Sequence, residues 1–155
     1  MSRPKLDFIF LDVARIISLR STCLRRKIGC VLERDGRIIS CGYNGVASRM
    51  PHCIDTNICL KTQRNDENYK ICNHAEQNAI CQCAKNGIST RDASLYVTKN
   101  PCMSCSKMAY ASGIYDVYIV ADDNDPLDGI EFLRSRGIKV RQYTNNEVDY
   151  EVRRK

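Results

Sequence analysis

"CNHAEQNAI", residues 72–80, is the stretch from which the fold is read. Ala75, Ala79, Ile80 and Ala84 recur on one face at helical spacing, so the pattern predicts a helix over 74–86 that Gly87 ends. One of only two histidines, His74, opens that helix, two positions before Glu76. Downstream, "SLYVT" (94–98) reads as a strand, and Pro101 precedes a short helix, "CMSCSKMAYAS", that Gly113 ends. "DVYIVA" (116–121) is a strand, Pro126 opens a helix to about Arg136, and "IKVRQY" (138–143) is the last strand. Upstream, "KIGCVLE" and "RIISCGY" flank Arg34-Asp35-Gly36, an Asp-Gly hairpin signal whose register has room for an extra residue or two. Phe8, Ile9, Val13, Ile16 and Ile17 place a first helix over 6–21. Strands that alternate with helices imply parallel pairing with helices on both faces. The expectation is one domain over 1–155: an α/β fold of three layers, α/β/α, around a mixed five-stranded sheet. An aperiodic, Cys-bearing insert covers about 45–73, and a polar tail about 144–155.

Composition narrows the function. With 43% apolar and 7% aromatic residues the chain has material for one packed core, and no repeat suggests a solenoid. The apolar stretch "LDFIFLDVARIISL" carries Asp7, Asp12 and Arg15, which break any signal core or membrane span, so a cytoplasmic protein without a membrane partner is expected. Ten cysteines then read as reduced thiols and metal ligands rather than a disulfide framework. Four of them, Cys30, Cys41, Cys81 and Cys83, lie in apolar patterns and are expected as small core residues. The net charge of +6 favours a phosphate-bearing partner, and the one compact basic cluster is Arg25, Arg26 and Lys27.

"NPCMSC" (100–105) supplies a partner for His74. Cys102 and Cys105, three apart at a helix start, can reach one ion, and the helix N-terminus favours thiolates. One nitrogen and two sulfurs leave the fourth tetrahedral position of Zn2+ open, the arrangement of a catalytic site. Glu76 then faces that position as a proton carrier. H-x-E followed by P-C-x-x-C is the signature of zinc nucleobase deaminases.

"STCLRRKIGCVLERDGRIISCGYNGVASRMPHC" (21–53), "HAEQNAI" (74–80) and "LYVTKNPCMSCSKMAYASGI" (95–114) together resemble the deoxycytidylate (dCMP) deaminase family, of the compact bacterial and phage type, over roughly 6–142. The resemblance implies a cytidine-deaminase-like fold, hydrolytic deamination of dCMP to dUMP that feeds thymidylate synthesis, and catalytic zinc on His74, Cys102 and Cys105 with Glu76. It implies that Asn44 bonds the deoxyribose and that the backbone at Ala75 and near Cys102 holds the pyrimidine edge. The natural 5′-phosphate site is Arg26, with Arg25 beside it and Ser21 as a hydroxyl partner, since a guanidinium grips phosphate with paired donors. A second, structural zinc is implied on Cys23 and Cys53, with Cys59 and Cys72 completing it or His52 substituting. Relatives are typically hexamers, activated by dCTP and inhibited by dTTP, and Lys85 marks the candidate effector contact. The chain departs from the family at "VADDND" (120–125), acidic where relatives usually carry a tyrosine. Three alternatives stand beside this reading: a bifunctional dCMP/dCTP deaminase, a tRNA adenosine deaminase (where Asn100 replaces the Glu usual there) and a non-enzymatic zinc module for nucleic acid. The leading reading expects no nucleic-acid partner.

Overall fold

The computed structural model describes residues 3–59, 71–120 and 124–148. The middle of the expected insert (60–70), positions 121–123 and the tail from 149 lie outside the described residues. A five-stranded sheet carries the fold, in the order β2 (Arg37–Tyr43), β1 (Gly29–Arg34), β5 (Ser94–Val97), β6 (Asp116–Val120), β7 (Lys139–Tyr143). β1 (Gly29–Arg34) and β2 (Arg37–Tyr43) form the expected hairpin. Asp35 and Gly36 both take positive φ, 55° and 75°, as a two-residue turn matched to strand twist requires. A bulge between Leu32 and Glu33 shifts the register, the added residue that the turn left room for. β1 also pairs antiparallel with β5 (Ser94–Val97), whereas β5, β6 (Asp116–Val120) and β7 (Lys139–Tyr143) run parallel, so the sheet is mixed as expected.

Alternate residues of β1, β5 and β6 feed two separate cores. Val31, Tyr96, Tyr118 and Val120 pack against Phe10, Leu11 and Ala14 of α1 (Leu6–Ser18). Cys30, Leu32, Leu95, Val97, Val117 and Ile119 face the other way, with Ala75, Ala79, Ile80 and Cys83 of α3 (Ala75–Lys85), Ala109 of α4 (Met103–Ala111) and Ile130 and Leu133 of α5 (Asp128–Ser135). Strands buried on both faces show no polar alternation, which is why they read as continuous apolar runs.

Two glycines set how closely the helices approach. A Cβ on Gly29 would stand 1.9 Å from the Ala14 carbonyl oxygen of α1, and one on Gly42 would stand 2.3 Å from that of Ala75 in α3. Neighbouring positions on the paired strands thus admit a helix backbone on each face of the sheet.

Several expectations need correction. The first helix stops at Ser18 rather than 21: Leu19, Arg20 and Ser21 donate to carbonyls three residues back, which tightens the exit into turns. Cys30 and Cys83 are buried as expected, but Cys41 and Cys81 are exposed. Cys41 points outward from an edge strand, and Cys81 lies on the solvent side of α3, two positions from buried Cys83. The insert is not without structure either. β3 (Gly45–Val46) pairs with β4 (Cys72–Asn73), and α2 (Cys53–Thr56) lies between them in sequence. The polar tail begins with one ordered turn, α6 (Asn145–Val148), whose Val148 is fully buried in the α1 core.

Candidate active site

The N-termini of α3 and α4 meet at one end of the sheet. His74 caps α3: its backbone N–H donates to Gln77 Oε1 at 2.7 Å, and its carbonyl accepts from Asn78 N at 3.0 Å. Cys102 caps α4, with its carbonyl accepting from Ser106 N at 2.9 Å, and Cys105 follows in the first turn. His74 Nδ1 lies 3.3 Å from Cys105 Sγ and 3.5 Å from Cys102 Sγ. All three donor atoms fall within 4.8 Å of one another, the one such group among the described residues. Hydrogen bonds from Cys105 and His74 pull the Cys102 thiol down to about 3, while its bond to Cys102, then burial, pushes Cys105 up. A soft pair of sulfurs, one already poised as thiolate, with one imidazole nitrogen is a donor set that fits zinc with a position left open.

Glu76, on the first turn of α3, is only 4% exposed yet lines the cavity in front of these donors. Burial raises its carboxyl above the ordinary value, and its backbone hydrogen bond and His74 only partly oppose that. The cavity is ≈ 520 Å³, large enough for a nucleotide. Its lining also carries three cations, Arg25, Arg26 and Lys99. Lys27 of the same basic cluster faces an adjoining cavity instead.

Asn44 follows β2 and is held from several sides. Its Oδ1 accepts from Ser21 Oγ at 2.7 Å and from Ile28 N at 2.8 Å, and its Nδ2 donates to the Arg26 carbonyl at 2.9 Å. One Nδ2 hydrogen remains to face the cavity that Asn44 lines. Ser21, expected at the phosphate, is 5% exposed and turns its hydroxyl to Asn44, so the structure places it behind the sugar-binding candidate. Buried Ala75 begins α3, and exposed Lys85 ends it.

Cys23, Cys53, Cys59 and Cys72 all line the same cavity wall. Burial, then Cys53, with Cys23 and Cys59 adding, pushes the Cys72 thiol up to about 11. The four are neighbours, but they do not form a group as tight as that of His74. His52 Nδ1 lies 3.2 Å from Thr22 Oγ1.

Two charged residues beside the site, Lys99 and Asp125, were missed from the sequence. Lys99 and Arg26 both bond Asp125 Oδ1, Arg26 at 2.9 Å. The signal for Lys99 was its place beside the "NPC" turn; Asp125 was hidden inside an acidic run that reads as solvated surface.

Residues 5–121 match the family model described as the cytidine and deoxycytidylate deaminase zinc-binding region. The chain is 36% identical over 148 residues to the ComE operon protein 2 of Bacillus subtilis, covering 96% of this chain and 76% of that protein. It is 30% identical over 149 residues to the deoxycytidylate deaminase of Saccharomyces cerevisiae, covering 95% of this chain but 47% of that enzyme, so it spans about half the yeast protein. The crystal structure of a dCMP deaminase from the cyanophage S-TIM5 in complex with dCMP and dUMP superposes with a TM-score of 0.78 at 29% identity, covering 92% of this chain and all of that one (100%).

Proposed function

The chain belongs to the cytidine and deoxycytidylate deaminase family, and from that premise we propose that it hydrolyses dCMP to dUMP and ammonia, with His74, Cys102 and Cys105 as ligands of the catalytic zinc. The observation that carries the reading is the buried Glu76 beside the three converging donors, in a cavity also lined by Arg25, Arg26 and Lys99.

When bound, zinc supplies Lewis acidity that brings the ionisation of a water towards neutral pH. Glu76 accepts one proton of the water whose oxygen adds to C4 of the cytosine ring and delivers it to N3; it then takes the proton of the new C4 hydroxyl and passes it to the exocyclic amine, so that the C4 carbonyl forms as the C–N bond breaks and ammonia leaves. Its environment suits this work, because burial raises a carboxyl towards the pH at which it both takes and gives a proton. Asn44, fixed by Ser21 and Ile28, directs its remaining N–H at the deoxyribose. Backbone at Ala75 and near Cys102 holds the pyrimidine edge, and Arg26 with Arg25 takes the 5′-phosphate.

We further propose a structural zinc on Cys23, Cys53, Cys59 and Cys72, supported by their shared wall of the cavity. A homo-oligomer, a hexamer by resemblance, is proposed with dCTP and dTTP as effectors and Lys85 at the effector contact. Exposed Ile54, Ile58, Tyr110 and Tyr115 are apolar surface that such an assembly would cover. We place the enzyme in the cytoplasm, where free thiols persist. No described helix is long and apolar enough to cross a membrane.

Ammonia release and ultraviolet loss with dCMP, dCTP, deoxycytidine and CMP test the reading, on wild type and Glu76→Gln. The expected result is fastest turnover of dCMP, with Glu76→Gln down by about 10²–10⁴-fold and zinc retained. A zinc-loaded wild type that deaminates none of them overturns it.

A further inference from the structure

Arg26, Lys99 and Asp125 come from three places in the chain and meet at one end of the sheet. Arg26 lies just before β1, Lys99 just after β5 and Asp125 in the segment after β6. Both cations bond the same oxygen, Asp125 Oδ1. The carboxylate is the buried member, with 7% of its side chain exposed against 25% for Lys99 and 63% for Arg26. Asn100 Nδ2, donating to the Asp125 carbonyl at 3.4 Å, ties this segment to the turn that carries Cys102.

The three residues divide two cavities. Arg26 and Lys99 line both the active-site cavity and an adjoining one of ≈ 380 Å³, whereas Asp125 lines the adjoining one alone. The adjoining cavity also carries Arg15 and Lys27, so apart from Asp125 its charged lining is wholly cationic. Such a space, opening from the grip on a 5′-phosphate, is suited to further phosphates. Asp125 is the element set against them.

We propose that Lys99 joins Arg26 and Arg25 in holding the substrate's phosphate and that Asp125, standing behind Lys99 and Arg26, limits the site to one phosphate. The inference rests on the cytosine-nucleotide deaminase reading above and names its phosphate specificity. A guanidinium has five N–H donors and an ammonium three, so one bond each to Asp125 leaves both cations with donors for a phosphate on the active-site side. The carboxylate holds those donors in place before substrate arrives, which removes an ordering cost from binding. A β-phosphate reaching past the two cations meets like charge in a partly desolvated corner, and selectivity through a repulsive element follows.

Steady-state kinetics of the zinc-loaded full chain test this, with dCMP and dCTP on wild type, Lys99→Met, Lys99→Arg and Asp125→Asn. Lys99→Met is expected to raise KM for dCMP by about 10–100-fold, the worth of a charged hydrogen bond, with a smaller change in kcat. Lys99→Arg is expected to recover most of that loss, which separates lost charge from lost fold. Asp125→Asn is expected to raise dCTP turnover relative to dCMP by about tenfold, one charge repulsion's worth. An unmoved KM in Lys99→Met, no recovery in Lys99→Arg, or an unmoved dCTP-to-dCMP ratio in Asp125→Asn overturns the proposal. So does a wild type that already turns over dCTP as fast as dCMP. Failure of the deaminase reading shows differently, as a wild type inactive on every cytosine nucleotide.

Discussion

The carbonyl oxygen of Ala75 lies where only a glycine at position 42 leaves room: a Cβ there would come within 2.3 Å of it and 2.6 Å of Ala79 N. Both obstacles are backbone, so no side-chain rotation relieves them. Gly42→Ala therefore has to push α3 off the sheet, and α3 carries His74 and Glu76 on its first turn. Overpacking of this kind costs about 1–3 kcal/mol. Turnover is expected to fall further than stability alone accounts for, because His74 and Glu76 shift relative to Cys102 and Cys105. Thermal melts and dCMP turnover on the same preparation check it. A variant with unchanged melting and unchanged rate would show that α3 does not rest on Gly42.

Zinc stoichiometry separates the two proposed sites. Wild type is expected to hold two zinc ions per chain by elemental analysis. Cys102→Ser is expected to lose one of them together with activity, while Cys53→Ser loses the other. Loss of a closed structural site should lower the melting temperature more than loss of the open catalytic one, since a closed site ties down chain that has little core of its own. A wild-type ratio of one removes the site at Cys23, Cys53, Cys59 and Cys72.

Much of this was legible in the sequence, and the reasons differ from residue to residue. α3 was readable because Ala75, Ala79 and Ile80 keep one face, and His74 and Cys102 were readable because their spacings are set by one ion and two helix caps. The mixed five-stranded sheet followed from alternation, and its hairpin from the Asp35-Gly36 turn. What escaped depends on long-range partners. Nothing local says that Lys99 and Arg26, 73 positions apart in the chain, share the carboxylate of Asp125. Nor does it say that Ser21 serves Asn44 rather than a phosphate. Cys41 was misplaced for a related reason, since an apolar run does not show which strand stands at the edge, and Cys81 because it does not show which side of a helix faces solvent.

Asn44 should show two effects at once. Its Oδ1 takes the N–H of Ile28 and the hydroxyl of Ser21, so Asn44→Ala leaves a backbone donor without its acceptor as well as losing the contact to the sugar. The first loss costs about 1–3 kcal/mol of stability and the second about tenfold or more in KM for dCMP. Ser21→Ala removes one hydrogen bond that orients Asn44 and is expected to raise KM by less, with little change in kcat. Equal KM effects in the two variants would mean that Ser21 touches the substrate itself.

Asp125 gives a stability signature in acid that needs no substrate. Burial by itself raises its carboxyl, but hydrogen bonds from Lys99 and Arg26 outweigh burial and hold it below the ordinary value. In the unfolded chain it titrates near the usual value of about 3.9, so near and below that pH the unfolded state binds the extra proton. The contribution of Asp125 to stability is therefore present above about pH 4 and is lost as pH falls through the lower, folded value. Urea melts of wild type and Asp125→Asn, compared at each pH, cancel the acid loss of zinc and of other carboxylates common to both. The stability difference between them is expected to be constant near neutrality and to shrink below about pH 4. A difference that stays flat down to the acid limit would mean that the two cations do not tune Asp125, and the preorganised phosphate grip would lose its basis.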